Sequence, residues 1–240
     1  MAHHPLAHRS WISRSRGWIS ILLLAPVSID AIFSPLTWPL DSWLQFTCDC
    51  AGWVLFVSGA AWRWWATLYI GGQKDRQLSQ QGPYSISRNP LYFGTLLMAI
   101  SVAVFVQSLA FAAMLVAVAA FYLGVTIPNE ESRLRVKFGQ AYTDYCARVP
   151  RFFPRFSLYQ TPPSVVVESY GLQSEWRRAL RWVWLPVICH LLCHLRSEPT
   201  WPHIRDSVLA TVFRSAAGIV TVRCDEVLRI LSECHWLEIH

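Results

Sequence analysis

Arg88, Asn89 and Pro90, answered downstream by Glu130 and Glu131, are the residues of this chain whose types and spacing best suit chemistry. Gly82-Pro83 is turn chemistry and stops whatever precedes it. Asn89 is a good N-cap. Pro90 suits a first helical position, because its missing N–H would go unpaired there anyway. A helix is therefore predicted to start at Pro90. Its free N–H groups, beside the cationic Arg88, would receive an anion such as a carboxylate or phosphate. Gly94, on the same face, lets a neighbour approach the backbone closely. Glu130 and Glu131 offer acceptors to hydroxyl or ammonium donors. A blander alternative stays open for both groups: a capped interfacial turn, and acids that merely suit the dipole of a helix start.

Two apolar runs must position these groups. Leu91 to Val106 and Leu109 to Ile127 are joined only by Gln107-Ser108. So short a join makes the helices fold back on each other, which brings Arg88 and Asn89 towards Glu130 and Glu131. Pro128 is predicted to end the second helix and Glu130-Glu131 to begin another, running through Tyr145.

Composition says what surrounds the hairpin. Of 240 residues, 53% are hydrophobic and 15% charged, which favours a membrane protein over a soluble globule. Thirteen Trp suit membrane–water interfaces, where the ring is buried and its N–H still finds a partner. The net charge of +6 fits anionic lipid headgroups. No basic stripe interleaved with aromatics points to nucleic acid. Seven cysteines without an even-spaced framework argue against a disulfide scaffold.

Residues 1–17 read as a basic cytosolic tail. Trp18 to Phe33 reads as a retained apolar helix with Asp30 near its far end, and Ser34 to Asp49 as a loop. Ala51 to Ile70 is long enough to span a bilayer at about 1.5 Å per residue. Arg63 lies inside it. A cation at that depth needs a partner or snorkels to water. An anionic ligand, Glu130 or Glu131 would serve as the partner. Lys74, Arg76 and Arg88 precede the hairpin, and Arg133, Arg135 and Lys137 follow it. The alternation of basic and base-free loops predicts a cytosolic N-terminus, four crossings and both chemical blocks in the cytosol. Val149 to Phe156 reads as an interfacial anchor and Thr161-Pro162-Pro163 as a linker. Trp176 to Leu195 is a candidate fifth crossing or an interfacial amphipathic helix. Cys189, His190, Cys193 and His194 have i, i+4 spacing that can chelate a metal, but no second ligand pair stands nearby, so no metal is assigned. Ser207 to Trp236 has helical periodicity and no functional reading.

Gly82-Pro83-Tyr84 followed by Arg88-Asn89-Pro90-Leu91-Tyr92-Phe93-Gly94 resembles a signature of integral-membrane methyltransferases. These are the isoprenylcysteine carboxyl methyltransferases and the related phospholipid methyltransferases. Glu130-Glu131, Leu134, Phe138-Gly139, Tyr142, Tyr145 and Val149-Pro150-Arg151-Phe152 are similar to the family's second block. Arg63-Trp64-Trp65-Ala66 is a weaker match upstream. The resemblance covers roughly residues 50 to 156. Many members carry His where this chain has Asn89, which cannot ionise, so no titrating base is expected there.

The resemblance implies an all-α, polytopic membrane bundle over residues 18–156, with residues 157–240 as a helical cytosolic extension. It implies S-adenosyl-L-methionine as cofactor, held near the cytosolic face, and a lipophilic or lipid-linked acceptor entering from the bilayer. In that arrangement Arg88, Asn89 and the helix start at Pro90 hold the cofactor's carboxylate. Tyr84, Tyr92 and Gly94 shape its pocket, and Glu130 and Glu131 bind the ribose or amine. Arg63 and Glu131 are the expected catalytic residues, with Arg63 orienting the acceptor. An NADPH-dependent membrane reductase of related architecture and a non-catalytic relative are the rival readings.

Overall fold

The computed structural model describes residues 11–34, 36–70, 78–161, 169–198, 200, 201 and 206, and among them it forms helices and no strand. In chain order α1 spans Trp11–Phe33, α2 Trp43–Ile70, α3 Pro83–Ile86, α4 Pro90–Val106, α5 Leu109–Phe121, α6 Ile127–Phe138, α7 Gln140–Arg148, α8 Ser169–Trp182 and α9 Trp184–Ser197. Two compact units divide at Arg196 and Ser197. Almost all of the second unit lies outside the described residues, as do Lys74, Arg76, Pro162-Pro163 and Ser207 to Trp236.

Helices α2 and α4 make the most extensive pair. Glycines allow it. A Cβ on Gly59 would lie 2.7 Å from the Gly94 carbonyl oxygen, and one on Gly94 would lie 2.8 Å from the Gly59 oxygen and from Cγ of Arg63. Small residues at an apolar helix interface let backbones approach in this way. The close approach predicted at Gly94 is therefore made by α2, and no ligand is needed to explain it. Gly59→Ala should overpack the interface by about 1–3 kcal/mol. Its measure is a lower unfolding temperature in detergent. An unchanged temperature would mean the helices are not this close.

The hairpin turn is held by polar groups. Gln107 sits in the left-handed region at φ 51°, its carbonyl accepts from Thr37 at 2.8 Å, and its amide donates to Gln45 at 2.5 Å. Ser108 caps α5 by accepting from the Phe111 N–H at 3.3 Å. Below this end Ala31, Phe105, Val106, Phe111 and Cys189 form one apolar cluster.

Four boundaries differ from the sequence expectation. Helix α1 begins at Trp11, inside the residues 1–17 predicted as a tail. Helix α2 begins at Trp43, inside the stretch predicted as a loop. Ser42 supplies the cap, accepting from the Gln45 N–H at 3.1 Å, and Gln45 donates to Asp49 one turn on at 2.7 Å. Pro128 does not end a helix: α5, a π turn at Tyr122–Thr126 and α6 run on as a single helix from Leu109 to Phe138. Finally, the helix through Tyr145 is broken at Gly139, whose φ of 55° favours glycine, so α6 and α7 are separate.

Helices α8 and α9 were expected in an extension, yet they pack within the first unit, which runs to Arg196. They run antiparallel beside α2. Trp176 meets Trp64 with ring centroids 4.9 Å apart, and His190 lies 3.9 Å from Asp49. At the far end Arg196 donates to the last carbonyl of α4, Val106, at 2.6 Å and to the Ser34 carbonyl at 3.0 Å. A cation placed there complements exposed helix-end carbonyls. Cys189 and Cys193 are buried, Cys193 against the Phe105 carbonyl, while the His190 and His194 rings pack edge-on at 4.9 Å. The i, i+4 spacing therefore serves packing. Among the described residues no group of three or more His, Cys, Asp and Glu is placed to hold a metal.

Among the described residues two helices are long and apolar enough to cross a membrane, Trp43–Ile70 and Leu109–Phe138. Gly17–Phe33 and Pro90–Val106 are shorter apolar helices, each rising about 26 Å against a hydrocarbon core of about 30 Å.

Candidate functional site

The π turn aims the site. The Ile127 N–H bonds the Tyr122 carbonyl, five residues back. Such a turn carries one extra residue, which rotates everything after it by about 100°. It also absorbs the N–H that Pro128 lacks. The result is that Glu131 is turned inward and only 4% exposed.

Opposite Glu131 lies the loop that leads into α4. Segment 82–89 is zipped to segment 150–160. The Arg88 N–H donates to the Pro150 carbonyl at 2.9 Å, Ser87 Oγ to Phe152 at 2.8 Å, the Arg155 N–H to Ile86 at 2.9 Å and the Gly82 N–H to Gln160 at 2.9 Å. From α7, the Tyr145 hydroxyl donates to the Tyr84 carbonyl at 2.7 Å. Burial pushes the phenols of Tyr84, Tyr142 and Tyr145 above the ordinary tyrosine range, so all three keep their protons. The basic-aromatic stretch from Val149 is thus a strap on the motif loop. Phe152 is buried, while Phe153 and Phe156 stay exposed.

The strap and the loop converge on one carboxylate. Arg88 Nη1 is 3.3 Å from Glu131 Oε1, and Arg151 Nη2 is 2.9 Å from Glu131 Oε2. Arg88 is buried with Glu131, while Arg151 is half exposed. Two arginines about one acid leave a net positive charge. Two buried polar atoms here, Tyr84 Oη and Arg88 Nε, have no hydrogen-bond partner, and Glu131 Oε1 has only its ion pair with Arg88. Unpaired buried polar groups cost free energy unless water or a ligand meets them.

Asn89 does not cap α4 with its side chain. Its Nδ2 donates to the Arg151 carbonyl at 2.9 Å, while its own carbonyl accepts from Tyr92 and Phe93. Pro90 is the first helical residue, as predicted. Tyr92 packs its ring 5.8 Å from Tyr122, the first residue of the π turn. Glu130 is half-buried in the first turn of α6 and is not free of partners.

Arg63 is held elsewhere, so it pairs with neither Glu130 nor Glu131. Its guanidinium donates to Thr95 Oγ1 at 2.5 Å, to the Leu91 carbonyl at 3.3 Å and to both oxygens of Glu175 at 3.1 and 3.3 Å. Arg178 donates to the same Glu175 carboxylate. Trp182 covers the guanidinium, its ring centroid 5.4 Å from Cζ. The described residues therefore hold two Arg–Glu–Arg clusters. Sequence reasoning missed Glu175. One signal was present: it is the lone acid between Glu168 and Glu198, on an otherwise basic and apolar stretch.

Comparison with known proteins bears on this geometry. Residues 49–141 match the family described as phospholipid methyltransferase. The nickel-cobalt-cadmium resistance protein NccN of Alcaligenes xylosoxydans xylosoxydans is 27% identical over 195 residues, 80% of this chain and 91% of that protein. The cobalt-zinc-cadmium resistance protein CzcN of Cupriavidus metallidurans is 33% identical over 164 residues, 68% of this chain and 75% of that protein. No solved structure matches the chain at a significant level.

Proposed function

This chain belongs to the phospholipid methyltransferase family, and on that premise we propose that it moves a methyl group from S-adenosyl-L-methionine to a lipophilic acceptor at the cytosolic face of a membrane. The observation that carries the reading is the Arg88–Glu131–Arg151 cluster at the start of α4, with its unpartnered polar atoms. Those atoms fit the cofactor's amino-acid end and ribose, which bring both donors and acceptors. Arg88 and the helix start at Pro90 hold the carboxylate, and Glu131, with Glu130 beside it, takes the ammonium or the ribose. When bound, S-adenosyl-L-methionine supplies a methyl on an electron-poor sulfur.

The chain's own work is positioning and water exclusion, which suffice for an in-line displacement. Tyr84 Oη, buried without a hydrogen-bond partner, is a further neutral donor, and Arg63 orients the acceptor's anionic end. A carboxylate acceptor needs no base and leaves as a neutral ester. That suits a site whose Asn89 cannot ionise, and it favours carboxyl O-methylation over amine methylation. Four helices cross the bilayer in this reading, with the N-terminus and both clusters on the cytosolic side. The metal resistance in the names of the two relatives would then reach this chain through an altered membrane amphiphile.

The test uses purified protein and membrane extract. S-adenosylhomocysteine at 100 times its Kd should stabilise the fold by about 2.7 kcal/mol, read as a raised unfolding temperature, and NADPH should not. Label from methyl-labelled S-adenosylmethionine should enter solvent-extractable material and leave it in mild base, as a methyl ester does. Stabilisation by NADPH alone would favour the reductase. Base-stable label would identify an amine acceptor.

A further inference from the structure

The strap has two sides. Its backbone serves the motif loop: the Arg155 N–H donates to Ile86, and the Phe152 and Arg151 carbonyls accept from Ser87 Oγ and the Asn89 amide. Other side chains stay outside. Phe153 is 73% and Phe156 67% exposed, with Arg155 and Tyr159 exposed beside them. From Val149 to Thr161 the chain has two arginines and no acid. Arg155 pairs with no acid among the described residues, and Arg151, held by Glu131, is still half exposed. The depth of this side follows from α2. Phe156 meets Trp62 edge-on with ring centroids 6.0 Å apart, and Tyr159 meets Trp65 at 5.8 Å. The 28 residues of α2 rise about 42 Å against a hydrocarbon core of about 30 Å, so about 6 Å would project at each end of a centred helix. Trp65, five residues before the end at Ile70, then lies where tails meet headgroups, and Trp62 about one turn deeper. Tryptophan and tyrosine rings settle at that level.

We propose that the strap docks on anionic phospholipid headgroups of the membrane that holds the chain, and that this docking orders the motif loop. Arg155, with the exposed side of Arg151, meets the headgroup phosphates, and Phe153 and Phe156 dip among the upper tails. Charge complementarity selects the partner: a basic surface without acids is drawn to a negatively charged bilayer. The aromatic rings and their depth select a bilayer over a soluble acidic protein. Backbone bonds carry the effect inward, because segment 150–160 holds segment 82–89 and so fixes Arg88. A loop ordered beforehand binds its ligand without the ordering cost. The lipid acts here as a restraint and not as a methyl acceptor. The docking holds whether or not a methyl group is transferred, and only its effect on the cofactor rests on the proposed function.

The test places an environment-sensitive fluorescent amino acid at Ser157, which is exposed in the strap. The full chain is held in phosphatidylcholine nanodiscs with increasing phosphatidylglycerol. Emission should shift to the blue as phosphatidylglycerol rises, and high salt should reverse the shift. Free glycerol phosphate added to neutral discs should have no effect. Arg155→Gln should need about fivefold more phosphatidylglycerol for half the shift, and Arg155→Lys should restore it. Emission that is the same in neutral and anionic discs would overturn the docking. So would a shift that Arg155→Gln leaves untouched, since its source would lie elsewhere on the chain. Calorimetry with S-adenosylhomocysteine reads the second half. Its affinity should rise several-fold with phosphatidylglycerol in the wild type and stay flat in Arg155→Gln. Equal affinity in all discs would remove the ordering of the loop. No binding in any disc would defeat the cofactor assignment while the emission shift still decided the docking.

Discussion

Glu131→Gln should weaken S-adenosylhomocysteine binding about 100-fold in calorimetry while leaving Glu130→Gln closer to wild type. The substitution keeps the shape of the side chain and removes its charge. Arg88, buried beside it, then has no anionic partner, and Arg151 loses the carboxylate that ties the strap to the loop. Removing one member of a buried, hydrogen-bonded charge pair costs about 2–5 kcal/mol. Each 1.4 kcal/mol is tenfold in affinity, so 100-fold lies at the low end of that range. The loss should appear in affinity rather than as wholesale unfolding, because segment 82–89 keeps its backbone bonds to segment 150–160. Unchanged affinity would take Glu131 out of the cofactor site and leave it a purely structural ion-pair partner.

Arg63→Met should be the most destabilising single change in the helices that pack on α2, at about 3–5 kcal/mol. It strands Glu175, which is 6% exposed, with only the half-exposed Arg178 as counter-charge. Against a typical total stability of about 5–15 kcal/mol, that is a large share. Adding Glu175→Leu should recover most of it, since replacing both members of a buried pair with apolar side chains is often neutral or better. Arg178 is long enough to carry its head to water. The double variant is then folded and, on the proposed function, should still fail to methylate, because the arginine that orients the acceptor is gone. Unfolding temperature in detergent and methyl incorporation read the two effects separately. Recovery of both in the double variant would make Arg63 a structural residue only.

Much of this was legible before any coordinates. The start of α4 at Pro90 follows from local chemistry, and the back-folding of α4 on α5 follows from a join too short for anything else. Together these predict that Arg88 and Glu131 meet, as they do at 3.3 Å. The cap at Ser42 is equally legible in the sequence, although Pro35 and Pro39 just before it read as a loop.

Other features needed the assembled chain. Pro128 reads as a helix terminator, and in isolation it is one. Here the π turn before it absorbs the defect, which keeps Leu109 to Phe138 continuous and sets the direction of Glu131. The partners of Asn89, Arg63 and Gly94 are likewise set by packing: a strap carbonyl, an acid 112 positions away on α8, and the backbone of α2.

Local sequence, by itself, determined where helices begin, that they are apolar, and which charged residues must meet across a tight hairpin. These outcomes depend on neighbours within a few residues or on one short connection. Only the tertiary structure decided which arginine neutralises which acid, because a buried charge takes whichever partner the helix packing brings within reach. That choice divides the polar groups into two clusters rather than one.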